Sequence, residues 1–181
     1  MLSEKEKEEL LSIARRMLET SLSGEKTPDP KPSSKNLNQP GGAFVTLHKG
    51  SHLRGCIGRF GGADPLYHTV GRMALAAATE DPRFPPVLAS ELKDLRIEIS
   101  VLSPRQKIGD IREIEVGRHG LCVAKGFLHG VLLPQVATEE NWSREEFLSY
   151  TCLKAGLPPD SWKKGETKIE VFEAEVFGEK I

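Results

Sequence analysis

The stretch Gly42-Ala-Phe-Val-Thr-Leu-His-Lys-Gly-Ser-His-Leu-Arg-Gly-Cys-Ile-Gly58 decides the fold. Residues 43–48 and 53–57 are short strand-like runs, and Lys49-Gly50-Ser51-His52 between them holds a glycine suited to a tight reversal. The spacing predicts a β-hairpin. In its second strand, period-two geometry puts Arg54 and Cys56 on one face. A guanidinium beside a thiol favours the thiolate, the form a nucleophile requires. Gly55 and Gly58 would let a ligand or another backbone approach closely. The same residues also read more plainly: Cys56 as a small packed residue, Arg54 answering a structural carboxylate, and the glycines shaping the hairpin.

Outward from the hairpin, residues 3–22 read as a helix, with Ser3 and Glu6 as a capping box and Leu10, Leu11, Ala14, Met17 and Leu18 on one face. Residues 25–41 hold Pro28, Pro30, Pro32 and Pro40 among small polar residues, a surface loop that wraps or links rather than packs. Asp64-Pro65 reads as an N-cap and first-turn pair opening a helix to about Thr79, lined by Leu66, Val70, Met73, Ala74 and Ala77. Its first amides are a possible anion receptor, with plain capping the simpler reading. Asp81-Pro-Arg-Phe-Pro-Pro86 is expected to cross the surface in extended form.

Ile97, Ile99 and Val101 alternate as a strand, and residues 120–124 and 127–133 form a second hairpin around Lys125-Gly126. Ser143 and Glu146 cap a helix running to about Ala155 before Gly156. Residues 168–177 supply the last strands, and a slip of apolar register between Val171 and Phe172 predicts a bulge or bend. Irregular alternation without internal repeats makes the fold class α+β, with mixed or antiparallel sheets and flanking helices.

Composition narrows the function. The chain has 181 residues, 38% hydrophobic and 28% charged, enough for one sizeable core without staples. Its 25 Lys and Arg balance 26 Asp and Glu, so no chain-wide positive field exists to hold nucleic acid. No apolar run approaches the ~20 residues that span a bilayer. The acidic start MLSEKEKEELL lacks the features of a signal peptide, which points to the cytoplasm, where Cys56, Cys122 and Cys152 would stay reduced.

Other residues carry weaker signals. His48, His52 and Cys56 are four apart in turn, but no fourth ligand is visible, so neither a metal nor a cofactor is expected. His119, at a strand start, is the better general base. Asp81 and Arg83 flank a rigid proline and either aim a charged pair at a ligand anion or latch their loop. Gln135 and Glu139 lie in a proline-interrupted loop leading to Trp142. Cys122 and Cys152 fall at apolar positions and read as inert core.

In order along the chain, Gly42-Ala-Phe-Val-Thr-Leu47, Leu53-Arg-Gly-Cys-Ile-Gly58, Asp81-Pro-Arg-Phe-Pro-Pro86, His119-Gly-Leu121, Leu133-Pro-Gln-Val136 and Lys154-Ala-Gly-Leu-Pro158 closely resemble the AMMECR family, whose microbial members are called AmmeMemoRadiSam system protein A. The resemblance implies one AMMECR-type domain over residues 1–181, with a larger and a smaller subdomain and a cleft between them. That cleft would gather Arg54, Cys56, Asp81, Arg83, His119, Gln135, Glu139 and Trp142. It also implies a pathway shared with Memo-like and radical S-adenosylmethionine proteins, but supplies no reaction. Two functions follow. One is an enzyme or enzyme component in which Cys56, activated by Arg54 and served by His119, acts on a small polar or anionic substrate. The other is a binding or adaptor module that holds a ligand or partner segment without chemistry of its own.

Overall fold

The computed structural model describes residues 1–26, 31–32 and 34–180. The chain divides into two compact units, residues 1–102 with 175–181, and residues 103–174. Every strand pairing within them is antiparallel, and the fold is α+β.

The first unit opens with α1 (Glu4–Leu22), capped as its sequence predicts by the reciprocal Ser3–Glu6 box. Strands β1 (Gly42–Lys49) and β2 (His52–Arg59) form the hairpin, with Gly50 at φ +61° in its turn. Then follow α2 (Leu66–Thr79), a 3₁₀ turn at Ala89–Asp94 and β3 (Leu95–Leu102). Strand β1 lies between β2 and β3, so β2 is an edge strand. Ala43, Val45 and Leu47 of β1 and Ile97 and Ile99 of β3 bury one sheet face against Leu10, Ile13, Ala14 and Leu18 of α1 and Val70, Ala74 and Ala77 of α2. Period two on the strands and 3.6 on the helices converge on one core.

Three sequence expectations change here. The proline-rich loop packs as well as wraps, because Leu37 is fully buried in this core. Its carbonyls also cap α2: Leu66 N donates to Gln39 O at 2.8 Å and Tyr67 N to Leu37 O at 3.2 Å. Asp64 is therefore not the cap, and α2 follows Pro65 without a side-chain cap. The Asp64 carboxylate instead takes Arg59 at 2.9 Å and Arg72 at 3.3 Å. With Leu66 and Tyr67 already bonded, those amides are not open to an anion. Residues 27–30 and 33 of that loop lie outside the described residues.

The second unit holds β4 (Gln106–Lys107), β5 (His119–Lys125), β6 (Leu128–Leu132), α3 (Pro134–Glu139), α4 (Arg144–Lys154) and two 3₁₀ turns. Strand β7 (Lys168–Gly178) contributes its residues up to Ala174 here and its end to the first unit. Within the second unit β5 lies between β6 and β7, and β4 also pairs β7. Phe147 and Leu148 of α4 pack on Leu121 and Val171, with Trp142 and Trp162 partly buried against them. The bulge expected at Val171–Phe172 is absent: the register of β7 on β5 is continuous from Lys168 to Glu173. Two neighbouring residues point to opposite faces, and both are buried, Val171 in this core and Phe172 over Gly120. The apolar pair marks a strand covered on both sides. Residues 134–139, expected as a loop, form α3 with Pro134 at its first turn, where its missing N–H costs nothing.

Candidate functional site

A polar network surrounds β2. An edge strand leaves N–H groups unpaired, and here the amide of Cys56 donates to Asp81 Oδ2 at 2.8 Å. Asp81 is buried, and Arg83 closes over it with Nε on Oδ1 at 2.9 Å and Nη2 on Oδ2 at 2.7 Å. These hydrogen bonds, Arg83's foremost, hold the Asp81 carboxyl far below the usual range against the opposing effect of burial. Asp81 O also accepts from Phe84 N at 3.1 Å, so the segment starts as a tight turn rather than the extended crossing its prolines suggest.

Arg54 does not face the thiol as an activator. Its Nε and Nη2 form a forked pair with Glu91 at 3.2 and 3.0 Å, and its Nη1 donates to Pro85 O at 3.0 Å. This fork, joined by Lys49 at 3.1 Å, lowers Glu91 to about 2, with Arg54 the largest cause. Arg54 thus answers a structural carboxylate and ties the 81–86 segment to β2. The guanidinium that shares the Cys56 amide's acceptor is Arg83, whose Nη2 bonds the same Asp81 Oδ2 and whose pKa is raised mainly by its bonds to Asp81.

Gly55 and Gly58 serve packing rather than ligand approach. A Cβ on Gly55 would lie 2.1 Å from the Ala77 carbonyl oxygen of α2, and one on Gly58 would lie 2.2 Å from the Phe44 ring. Cys56 faces the other way from Gly55 and stays partly exposed, whereas Cys122 and Cys152 are buried. Its Sγ accepts a hydrogen bond from Thr46 Oγ1, directly across in the register, at 3.3 Å. Thr46 is the residue that sequence reasoning missed, and cross-strand pairing is the signal that finds it. Glu91 carried no such signal, being brought to Arg54 only by the chain's return after α2.

The remaining expected site residues belong to the second unit. His119 Nδ1 accepts from the amide of Glu115 at 3.1 Å, which ties down the turn before β5. That bond occupies Nδ1 and leaves the proton of a neutral imidazole on Nε2, so His119 is a structural acceptor rather than a base in this arrangement. Nitrogen NMR at alkaline pH should find the Nε2–H tautomer; predominance of Nδ1–H would contradict it. The Trp142 ring stacks on Tyr150 at 4.0 Å with 7° between planes and packs on the core beneath α4. Gln135 and Glu139 sit on α3, and Thr138 Oγ1 donates to the Gln135 carbonyl at 2.8 Å. Cys122 is buried but not purely apolar in its surroundings, since Arg105 Nη1 reaches its Sγ at 3.4 Å. Burial raises the Cys152 thiol. Among the described residues no three His, Cys, Asp or Glu side chains gather as a metal site, and no helix is long and apolar enough to cross a membrane.

A sequence model of the AMMECR1 family matches residues 11–177. The chain belongs to the AMMECR1 family. This AMMECR1-family chain is 45% identical over 183 residues to Protein MK0488 of Methanopyrus kandleri, covering 96% of this chain and 88% of that one. It is 46% identical to a protein of Methanothermobacter thermautotrophicus, with 98% and 96% covered. The crystal structure of an uncharacterized protein, PH0010 from Pyrococcus horikoshii, superposes with a TM-score of 0.85 at 44% identity, covering 96% of this chain and 91% of that one. At that identity the α+β fold of the AMMECR1-family chain is shared.

Proposed function

We propose that this AMMECR1-family protein is a thiol-dependent cytoplasmic enzyme or enzyme component, with Cys56 as nucleophile or group carrier for a small polar or anionic substrate. The observation that carries this reading is the presentation of one thiol. Cys56 alone of the three cysteines keeps solvent access, and Asp81 fixes its amide while Thr46 donates to its sulfur. Arg83, half exposed and anchored on Asp81, supplies a positive charge for a substrate anion. In the step this arrangement suits, sulfur gives its electron pair to an electrophilic carbon, the leaving group departs with the bonding pair, and the thiol proton passes to solvent. The family resemblance supports a pathway shared with Memo-like and radical S-adenosylmethionine proteins.

Alkylation of the folded protein across a pH series, read thiol by thiol in peptide mass spectra, tests the reading. Cys56 should react on the order of tenfold faster than Cys122 or Cys152, because access governs the rate. Thr46→Val and Arg83→Gln should each change the Cys56 rate and leave the other two unmoved. If Cys56 is as slow as Cys152, it is a packing residue and the binding-module reading takes its place.

A further inference from the structure

Strands β2 and β6 are treated differently by the fold. At β2, Asp81 takes the outward amide of Cys56 and Arg54 draws the 81–86 segment alongside. Strand β6, at an edge of the second unit, has no such cover: among the described residues, its main chain bonds only to β5. The β5–β6 turn is the two-residue loop Gly126-Phe127, with Gly126 at φ +60°. In such a hairpin the flanking residues Lys125 and Leu128 exchange hydrogen bonds, so the N–H and C=O groups of His129 and Val131 point outward.

Exposed edges are usually blunted by charge, proline or a bulge. Residues 127–133 contain none: the stretch Phe-Leu-His-Gly-Val-Leu-Leu has no Asp, Glu, Lys, Arg or Pro, and its register on β5 is unbroken. Phe127 is fully exposed, and Leu128 is exposed beside it. The extended backbone continues to Leu133, at φ −73° and ψ 157°.

We propose that β6 pairs with the β6 of a second copy of this chain, antiparallel about a two-fold axis at Gly130. The strand is self-complementary in that register. His129 and Val131 of each copy exchange N–H···O bonds, four in all by this geometry. Leu128 meets Leu132, His129 meets Val131 and glycine meets glycine, so no two like charges oppose each other. Gly130 suits the axis, because its α4-facing side has no room for a side chain: a Cβ there would lie 2.5 Å from Ala155 N.

Sedimentation of the full chain over concentrations up to about 1 mM tests this, since a small interface is expected to be weak. The wild-type protein should pass from monomer to dimer, and amide exchange at His129 and Val131 should slow as it does. Val131→Pro removes an outward donor that β5 does not use, and Leu128→Glu places a charge at an exposed position that faces Leu132 of the second copy. Both variants should stay monomeric, and Leu128→Glu should keep a melting temperature close to that of the wild type. A wild-type monomer at every concentration overturns the proposal. So does a dimer that persists in both variants, and so does a monomer whose β6 amides slow only when an extended apolar peptide is added.

Discussion

Replacing Gly55 by alanine is expected to cost roughly 3 kcal/mol of stability, measured by urea unfolding. The added Cβ would lie 2.1 Å from the Ala77 carbonyl oxygen. That oxygen belongs to the backbone of α2, so relief requires separating β2 from the helix rather than turning a side chain. The shift would also carry Cys56 and Arg54, its neighbours on the strand, away from Asp81 and Glu91. Gly109→Ala is the matched control: its Cβ meets nothing within 4 Å, and its change should stay within about 0.5 kcal/mol. Equal, small effects at both glycines would mean that β2 and α2 do not pack as closely as the geometry requires.

Asp81→Ala should be the second large loss, about 3 kcal/mol. It leaves the Cys56 amide without an acceptor and strips Arg83 of its forked partner. The Asp81 side chain is 2% exposed but that of Arg83 is 55% exposed, so solvent screens the charge pair and the figure rests on the hydrogen bonds. The pH dependence follows from the depressed carboxyl. A group whose pKa is lower folded than unfolded contributes fully above its unfolded value, near ~3.9, and loses that contribution as pH falls toward its folded value. The stability difference between wild type and Asp81→Ala should therefore be the same at pH 7 and pH 5 and smaller at pH 3. Glu91, lowered to about 2, titrates in the same acid window, but it is present in both proteins and its share cancels from the difference. A difference that grows in acid would reverse the assigned sign.

The elements were legible because their signals are local. Capping boxes at Ser3 and Ser143, glycines at the hairpin turns and alternating apolar residues each act within a few residues. The misreadings share one cause, a partner distant in sequence. Asp64 looks like a cap until Arg59 and Arg72 claim it and the carbonyls of Leu37 and Gln39 cap α2 instead. Leu37 looks like part of a polar linker until the core receives it. Val171-Phe172 looks like a bulge because burial on both faces of a strand has no single-strand signature.

At the site, the sequence by itself determined that Arg54 and Cys56 share a strand face and that Asp81 and Arg83 form a rigid local pair. Strand periodicity and a proline's fixed geometry are properties of the chain alone. Only the tertiary structure decided which charges meet. It spent Arg54 on Glu91, 37 residues away, put Asp81 on the Cys56 amide, and anchored Arg83 on that same carboxylate. Ion pairs and edge-strand caps are chosen by which chemically equivalent groups the fold brings within about 3 Å, and that selection is made by packing, not by spacing along the chain.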